Sequence, residues 1–132
     1  DDWNLRVVNT RHTVQNLGLR LEAGSPTKVF CYSGDGMFTP TASKLYTNAD
    51  LLVHEAYTSD GTVKNPRGET VTIGTKTHCS LQQLERLDDM ARPKKMALIH
   101  LNRKLREEKK DILKKYRQRR WIMPDAGEVI EL

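Results

Sequence analysis

Lys28-Val29-Phe30-Cys31-Tyr32-Ser33-Gly34-Asp35-Gly36 is an apolar run that ends in a carboxylate framed by two glycines. Residues 28–32 read as a buried strand, and Ser33-Gly34-Asp35-Gly36 as the tight turn at its carboxyl end. The paired glycines let the backbone turn sharply and hold Asp35 at the sheet edge, where ligands of open α/β sheets bind. Ala49-Asp50-Leu51-Leu52-Val53-His54-Glu55-Ala56 repeats the design and delivers His54 and Glu55 to a second strand end. Two such edges in one chain point to a metal or acid–base site.

Outward from these stretches the elements alternate. Residues 5–8 and 17–21 read as strands, and Thr39-Pro40 opens a short helix through Leu45, since proline suits a first helical turn. Residues 50–54 form the strand of the second edge. Ser80 caps a helix with Leu81, Leu84, Leu87 and Met90 on one face, ending before Pro93. Residues 95–99 are a strand running into His100. A basic helix over residues 103–120 follows, then Trp121-Ile122-Met123, a turn at Pro124-Asp125-Ala126-Gly127 and a final strand over residues 128–132. Residues 58–77 are polar, contain Gly61, Pro66, Gly68 and Gly74, and read as one long functional loop. Interleaved strands and helices without an internal repeat make the class α/β.

At 132 residues the chain is one domain at most. Its 37% apolar and 30% charged content is ordinary for a globular protein and excludes disorder. No apolar run approaches the roughly 20 residues of a membrane span, and no signal-peptide pattern is present. Cys31 and Cys79 lack framework spacing and read as free thiols of a cytoplasmic protein. The chain opens at Asp1 without a methionine and reads as a piece of something longer. The net charge of +5 is uneven: ten basic against three acidic residues over 103–120 leave −2 elsewhere. Such a segment attracts polyanions, although Leu105, Ile112, Leu113 and Tyr116 also give it a thin apolar seam with a solvated outer face.

The ionisable residues fall at the ends of elements. His12 precedes a strand, Asp35 ends one, His54 and Glu55 end another, His78 opens a helix and His100 ends a strand. Imidazole and carboxylate are the donor set of zinc, manganese or iron. Each residue also has a plain structural reading. Asp35 can cap its own turn, His100 can be a satisfied core histidine, and Glu55 with His78 can be an ordinary ion pair. His54 reads as structural, donating to a backbone carbonyl. Cys79 packs, although its place at a helix start can lower its pKa.

Arg11-His12-Thr13-Val14-Gln15-Asn16-Leu17-Gly18-Leu19-Arg20-Leu21, Tyr32-Ser33-Gly34-Asp35, Ala49 through Ala56, His78-Cys79-Ser80 and Leu98-Ile99-His100-Leu101-Asn102-Arg103 follow one another in an order with a precedent. The series resembles the C-terminal half of metallo-β-lactamase-fold hydrolases, in the branch of ribonuclease Z and its phosphodiesterase-like relatives. Met123-Pro124-Asp125-Ala126-Gly127-Glu128-Val129-Ile130-Glu131-Leu132 is similar to that family's final strand.

The resemblance implies half of an αββα sandwich, a mixed sheet with helices on one side, spanning residues 1–132. It implies metal ligands at His12, Asp35 and His100, with Asp35 bridging two divalent ions (zinc, or manganese or iron). It implies that Glu55 and His78 pair to protonate a leaving group, while a metal-bound hydroxide attacks a phosphodiester such as that of RNA. Hydrolysis of a small ester, lactone or thioester, or a non-catalytic half-domain, are the alternatives. The family's first metal motif, H-x-H-x-D-H, is absent: no two histidines here lie within ten positions of each other. The N-terminal half is therefore expected on another stretch of chain, activity to need it, and the partner to be that half or a second copy. Gly36 stands for the family's threonine after the aspartate, Tyr57 for the threonine after His-Glu-Ala, Cys79 for the serine after His78, and Leu101-Asn102 for Phe-Ser.

Overall fold

The computed structural model describes residues 2–72 and 77–132. Six strands form one sheet in the order β1-β2-β3-β4-β7-β8. They are β1 (Trp3–Thr10), β2 (Asn16–Ala23), β3 (Lys28–Tyr32), β4 (Leu51–Glu55), β7 (Met96–Ile99) and β8 (Trp121–Ile122). A two-stranded hairpin, β5 (Thr62–Lys64) with β6 (Thr70–Thr72), stands apart. The first three strands of the sheet are an antiparallel meander, and β3, β4, β7 and β8 run parallel. The sheet is mixed, as the sequence implies.

The parallel strands are joined by helical crossovers. Helix α1 (Pro40–Leu45) starts where Thr39 Oγ1 accepts from the Ala42 N–H at 3.1 Å and proline occupies the first turn. Helix α2 (Leu81–Ala91) starts at a capping box: Ser80 Oγ accepts from Gln83 N–H, and Gln83 Oε1 accepts from Ser80 N–H. It stops at Arg92, whose φ is +50°, just before Pro93. Leu81, Leu84, Leu87 and Ala91 are buried, but Met90 is 55% exposed, which corrects the expected stripe. Ala91 holds the inward position at that turn, so its predecessor points about 100° away from the core.

The basic segment is also corrected. It is α3 (Arg103–Glu107), α4 (Lys109–Lys115) and a 3-10 turn (Arg117–Arg119), broken at Glu108. Three and four residues after buried Leu105 stand Glu108 and Lys109, so no apolar contact holds the middle turn to the core. The apolar seam resumes at Ile112 and Tyr116, both buried. Residues 128–132 form no strand: no other strand lies beside them among the described residues, and Val129 is 83% exposed. The loop expected over 58–77 carries the β5–β6 hairpin instead, while residues 73–76, including Gly74 and Lys76, lie outside the described residues.

One face of the sheet is packed, and the other is open along β1 and β2. Cys31, Leu52, Met96, Leu98 and Trp121 form the core with Tyr46, Leu84, Leu87, Leu105 and Ile112 from the helical layer. Alternation sends Trp3, Leu5, Val7 and Leu17 to the opposite face, where all four are exposed, Trp3 by 68%. No helix among the described residues is long and apolar enough to cross a membrane.

Candidate functional site

Asp35, Glu55, His78 and His100 converge at the carboxyl ends of β3, β4 and β7, with a ligand atom of each within 4.8 Å of the others. Asp35 Oδ1 lies 2.7 Å from His100 Nδ1 and 3.5 Å from His78 Nδ1. Glu55 Oε2 lies 2.8 Å from His78 Nδ1 and 3.1 Å from His100 Nδ1. Two carboxylates therefore face the Nδ1 atoms of both rings. A ring whose Nδ1–H is held this way presents its Nε2 lone pair elsewhere, as base or ligand. His12 stands at the margin of the cluster, its ring centroid 5.0 Å from that of His78 in an edge-on contact. The expected ligands His12, Asp35 and His100 and the expected pair Glu55–His78 thus occupy one place rather than two, with His12 touching the pair.

Local sequence explains the arrangement. Glu55 is the last residue of β4 and fully buried, and its Oε1 accepts the Cys79 backbone N–H at 2.7 Å. Burial raises its carboxyl pKa, opposed by hydrogen bonds from His78, the Cys79 amide and His100. The carboxylate thereby ties β4 to the start of α2 and aims His78. His100 follows β7 with φ +52°, the left-handed conformation rare for a residue with a Cβ and concentrated at functional sites.

Asp35 is held by a clamp that the sequence did not announce. Asn16, first residue of β2, accepts the Asp35 N–H on Oδ1 at 3.2 Å, and its amide reaches the Ser33 carbonyl and the Thr10 hydroxyl. Ser33 Oγ in turn accepts the Glu55 N–H at 3.2 Å. Arg11 and Met37 exchange backbone hydrogen bonds, binding the turn of His12 to the loop of Asp35. A Cβ on Gly36 would stand 2.6 Å from the Arg11 carbonyl oxygen, which accounts for glycine at this position. Gly34, at φ +68°, would strike the Leu17 carbonyl at 2.7 Å.

Three further side chains complete the surroundings. Tyr57 stacks on His78 (centroids 4.7 Å apart, planes 26° off parallel) and lies 5.4 Å from His100. Its only signal in the sequence was its position directly after His-Glu-Ala. His54 is fully buried with Nδ1 2.9 Å from the Glu55 carbonyl, the structural role expected of it, and burial lowers its pKa to about 4. Cys79 is buried, and burial raises its thiol pKa, so the lowering expected from a helix start does not hold.

The donor set fits a divalent metal: two imidazoles and two carboxylates gathered at a strand edge, of the chemistry that zinc, manganese and iron accept. No protein-family model matches the chain, and no curated protein sequence does. Solved structures do. The short form of human tRNase Z superposes with TM-score 0.62 at 21% identity, over 80% of this chain and 40% of that one. The metallo-β-lactamase fold protein YhfI from Bacillus subtilis gives 0.61 at 20% identity, over 83% and 43%. A long-form RNase Z from yeast gives 0.59 at 18% identity, over 75% and 13%. The chain thus spans less than half the length of each. At such identities the likeness is one of fold: this chain has a metallo-β-lactamase-type fold that matches part of each of those structures.

Proposed function

We propose that the chain is the C-terminal half of a metal-dependent hydrolase that cleaves phosphodiesters in the manner of ribonuclease Z. The observation that carries the reading is the convergence of Asp35, Glu55, His78 and His100, remote in sequence, within 4.8 Å. Asp35, His100 and His12 would hold the metal, which when bound supplies Lewis acidity and an activated water.

The chain's own residues do the remaining work. Glu55 fixes the Nδ1 side of His78, which leaves Nε2 to give a proton to the departing alkoxide. Tyr57 packs against the His78 ring and limits its rotation. Asn16 sets the loop that carries Asp35.

The missing donors belong, in this proposal, to an N-terminal half that covers the open face bearing Trp3, Leu5, Val7 and Leu17. An exposed apolar sheet face of this kind supports a second layer, because soluble monomers seldom leave one uncovered. The tRNase Z structure, of which this chain covers 40%, leaves room for one.

The test offers the complete, metal-loaded protein bis(p-nitrophenyl) phosphate, a lactone and a thioester. Turnover of the diester, lost in Asp35→Ala and reduced in Glu55→Gln, is the expected result. Cleavage of the lactone or thioester with none of the diester rejects the phosphodiesterase reading. Hydrolysis of nothing leaves a non-catalytic half-domain.

A further inference from the structure

Beside the histidine cluster opens a second feature, a cleft of about 610 Å³ between the β5–β6 hairpin and the start of α3. Tyr57 forms part of its wall and so joins it to the site, since the same ring stacks on His78. The Asn102 N–H donates to the Tyr57 carbonyl, tying that wall to α3.

Lys64 contributes from the hairpin, and Arg103 and Lys104 from the helix. Their partners leave charge to spare. Lys64 Nζ donates to the neutral Thr70 hydroxyl at 2.7 Å, and Lys104 has no ion pair among the described residues. Arg103 pairs with Glu107 at the exposed surface. The one carboxylate lining the cleft, Asp60, accepts the Thr62 N–H and hydroxyl and also feels the charge of Lys104, so the lining keeps more cations than carboxylates.

We infer that this cleft is a subsite for the phosphate next to the scissile one in a single-stranded nucleic acid, held by Lys64 and Lys104. The inference rests on the phosphodiester reading for its reaction but not for its binding. A cleft with cations from two elements, sharing Tyr57 with a candidate acid–base pair, fits a substrate whose charges repeat along a chain. A single small anion would use only one wall. Cations on two elements bind a backbone without reading bases, so affinity falls with salt and tolerates changes of sequence.

The experiment measures binding of a fluorescein-labelled hexauridylate to the complete protein by anisotropy across a salt series. It compares wild type, the cleft double variant Lys64→Gln/Lys104→Gln and a charge-matched control on α4, Lys110→Gln/Lys114→Gln. The expected result is about tenfold weaker binding and a shallower salt dependence for the cleft variant, with less than about twofold change for the control. The α4 control should turn over bis(p-nitrophenyl) phosphate as wild type does, because Lys110 and Lys114 line neither the cleft nor the histidine cluster. Equal weakening by both variants, or by neither, overturns the subsite. So does competition by polyglutamate as strong as that by unlabelled oligonucleotide. If nothing is hydrolysed but the cleft variant alone loses the oligonucleotide, the subsite stands and the proposed reaction falls.

Discussion

Acid should unfold this protein through His54, a residue outside the candidate chemistry. Its ring is fully buried between Phe38 and Tyr46, with one nitrogen on the Glu55 carbonyl, and burial lowers its pKa from 6.5 to about 4. Between those values the unfolded chain binds a proton that the folded chain refuses. The contribution to stability is therefore whole above pH 6.5 and is lost as pH falls toward about 4. At about pH 5 the loss is about 2 kcal/mol, from roughly 1.4 kcal/mol per pH unit. Glu55 works in the opposite sense, because its raised pKa lets the folded state take up a proton first. Urea unfolding of wild type and His54→Gln at about pH 8 and about pH 5 separates the two, since glutamine keeps a donor for the carbonyl but does not titrate. Wild type should lose about 2 kcal/mol more than the variant across that interval. Parallel losses in both proteins would refute the assignment of acid sensitivity to the buried ring.

The remaining predictions concern the loop of Asp35 and the open face. Gly36→Ala should cost about 1–3 kcal/mol in urea unfolding, because its Cβ meets the Arg11 carbonyl at 2.6 Å, and an unchanged midpoint would contradict that crowding. Asn16→Ala removes the amide from three partners and should destabilise by about 1–3 kcal/mol. The same variant should weaken zinc binding in calorimetry, and unaltered affinity would show that Asp35 needs no clamp. Trp3→Ser with Val7→Lys should change the stability of the 132-residue chain by no more than about 0.5 kcal/mol per site, yet stop its association with an N-terminal half supplied in trans. Undiminished association in sedimentation would remove the open face from the account.

Much of the fold was legible because local signals agree with tertiary needs. Residues 28–32 emerged with their observed bounds, since an apolar run ended at Gly34 and Gly36 admits few readings. Thr39-Pro40 and Ser80 announced the starts of α1 and α2 through hydrogen bonds that the structure contains. Three-residue strands such as Thr62-Val63-Lys64 are too short for alternation to stand out among polar neighbours. The break at Glu108 depends on which turns of the basic segment meet the core, information that charge does not carry. In the site, placement at strand ends marked Asp35, Glu55 and His100, and placement at a helix start marked His78. Their meeting could not be read from spacing, because 65 positions separate Asp35 from His100, and strand order alone brings them together. Asn16 and Tyr57 act through contacts to the turn and the ring, and neither residue type signals such a role by itself.

The central claim is that these side chains form a metal centre. Its most direct test is the metal content of the purified complete protein by plasma mass spectrometry, for wild type and for Asp35→Ala/His100→Ala. The account predicts stoichiometric zinc, manganese or iron in the first and its loss from the folded double variant. Equal metal in both, or a folded wild type that retains none after loading with each ion, would contradict it.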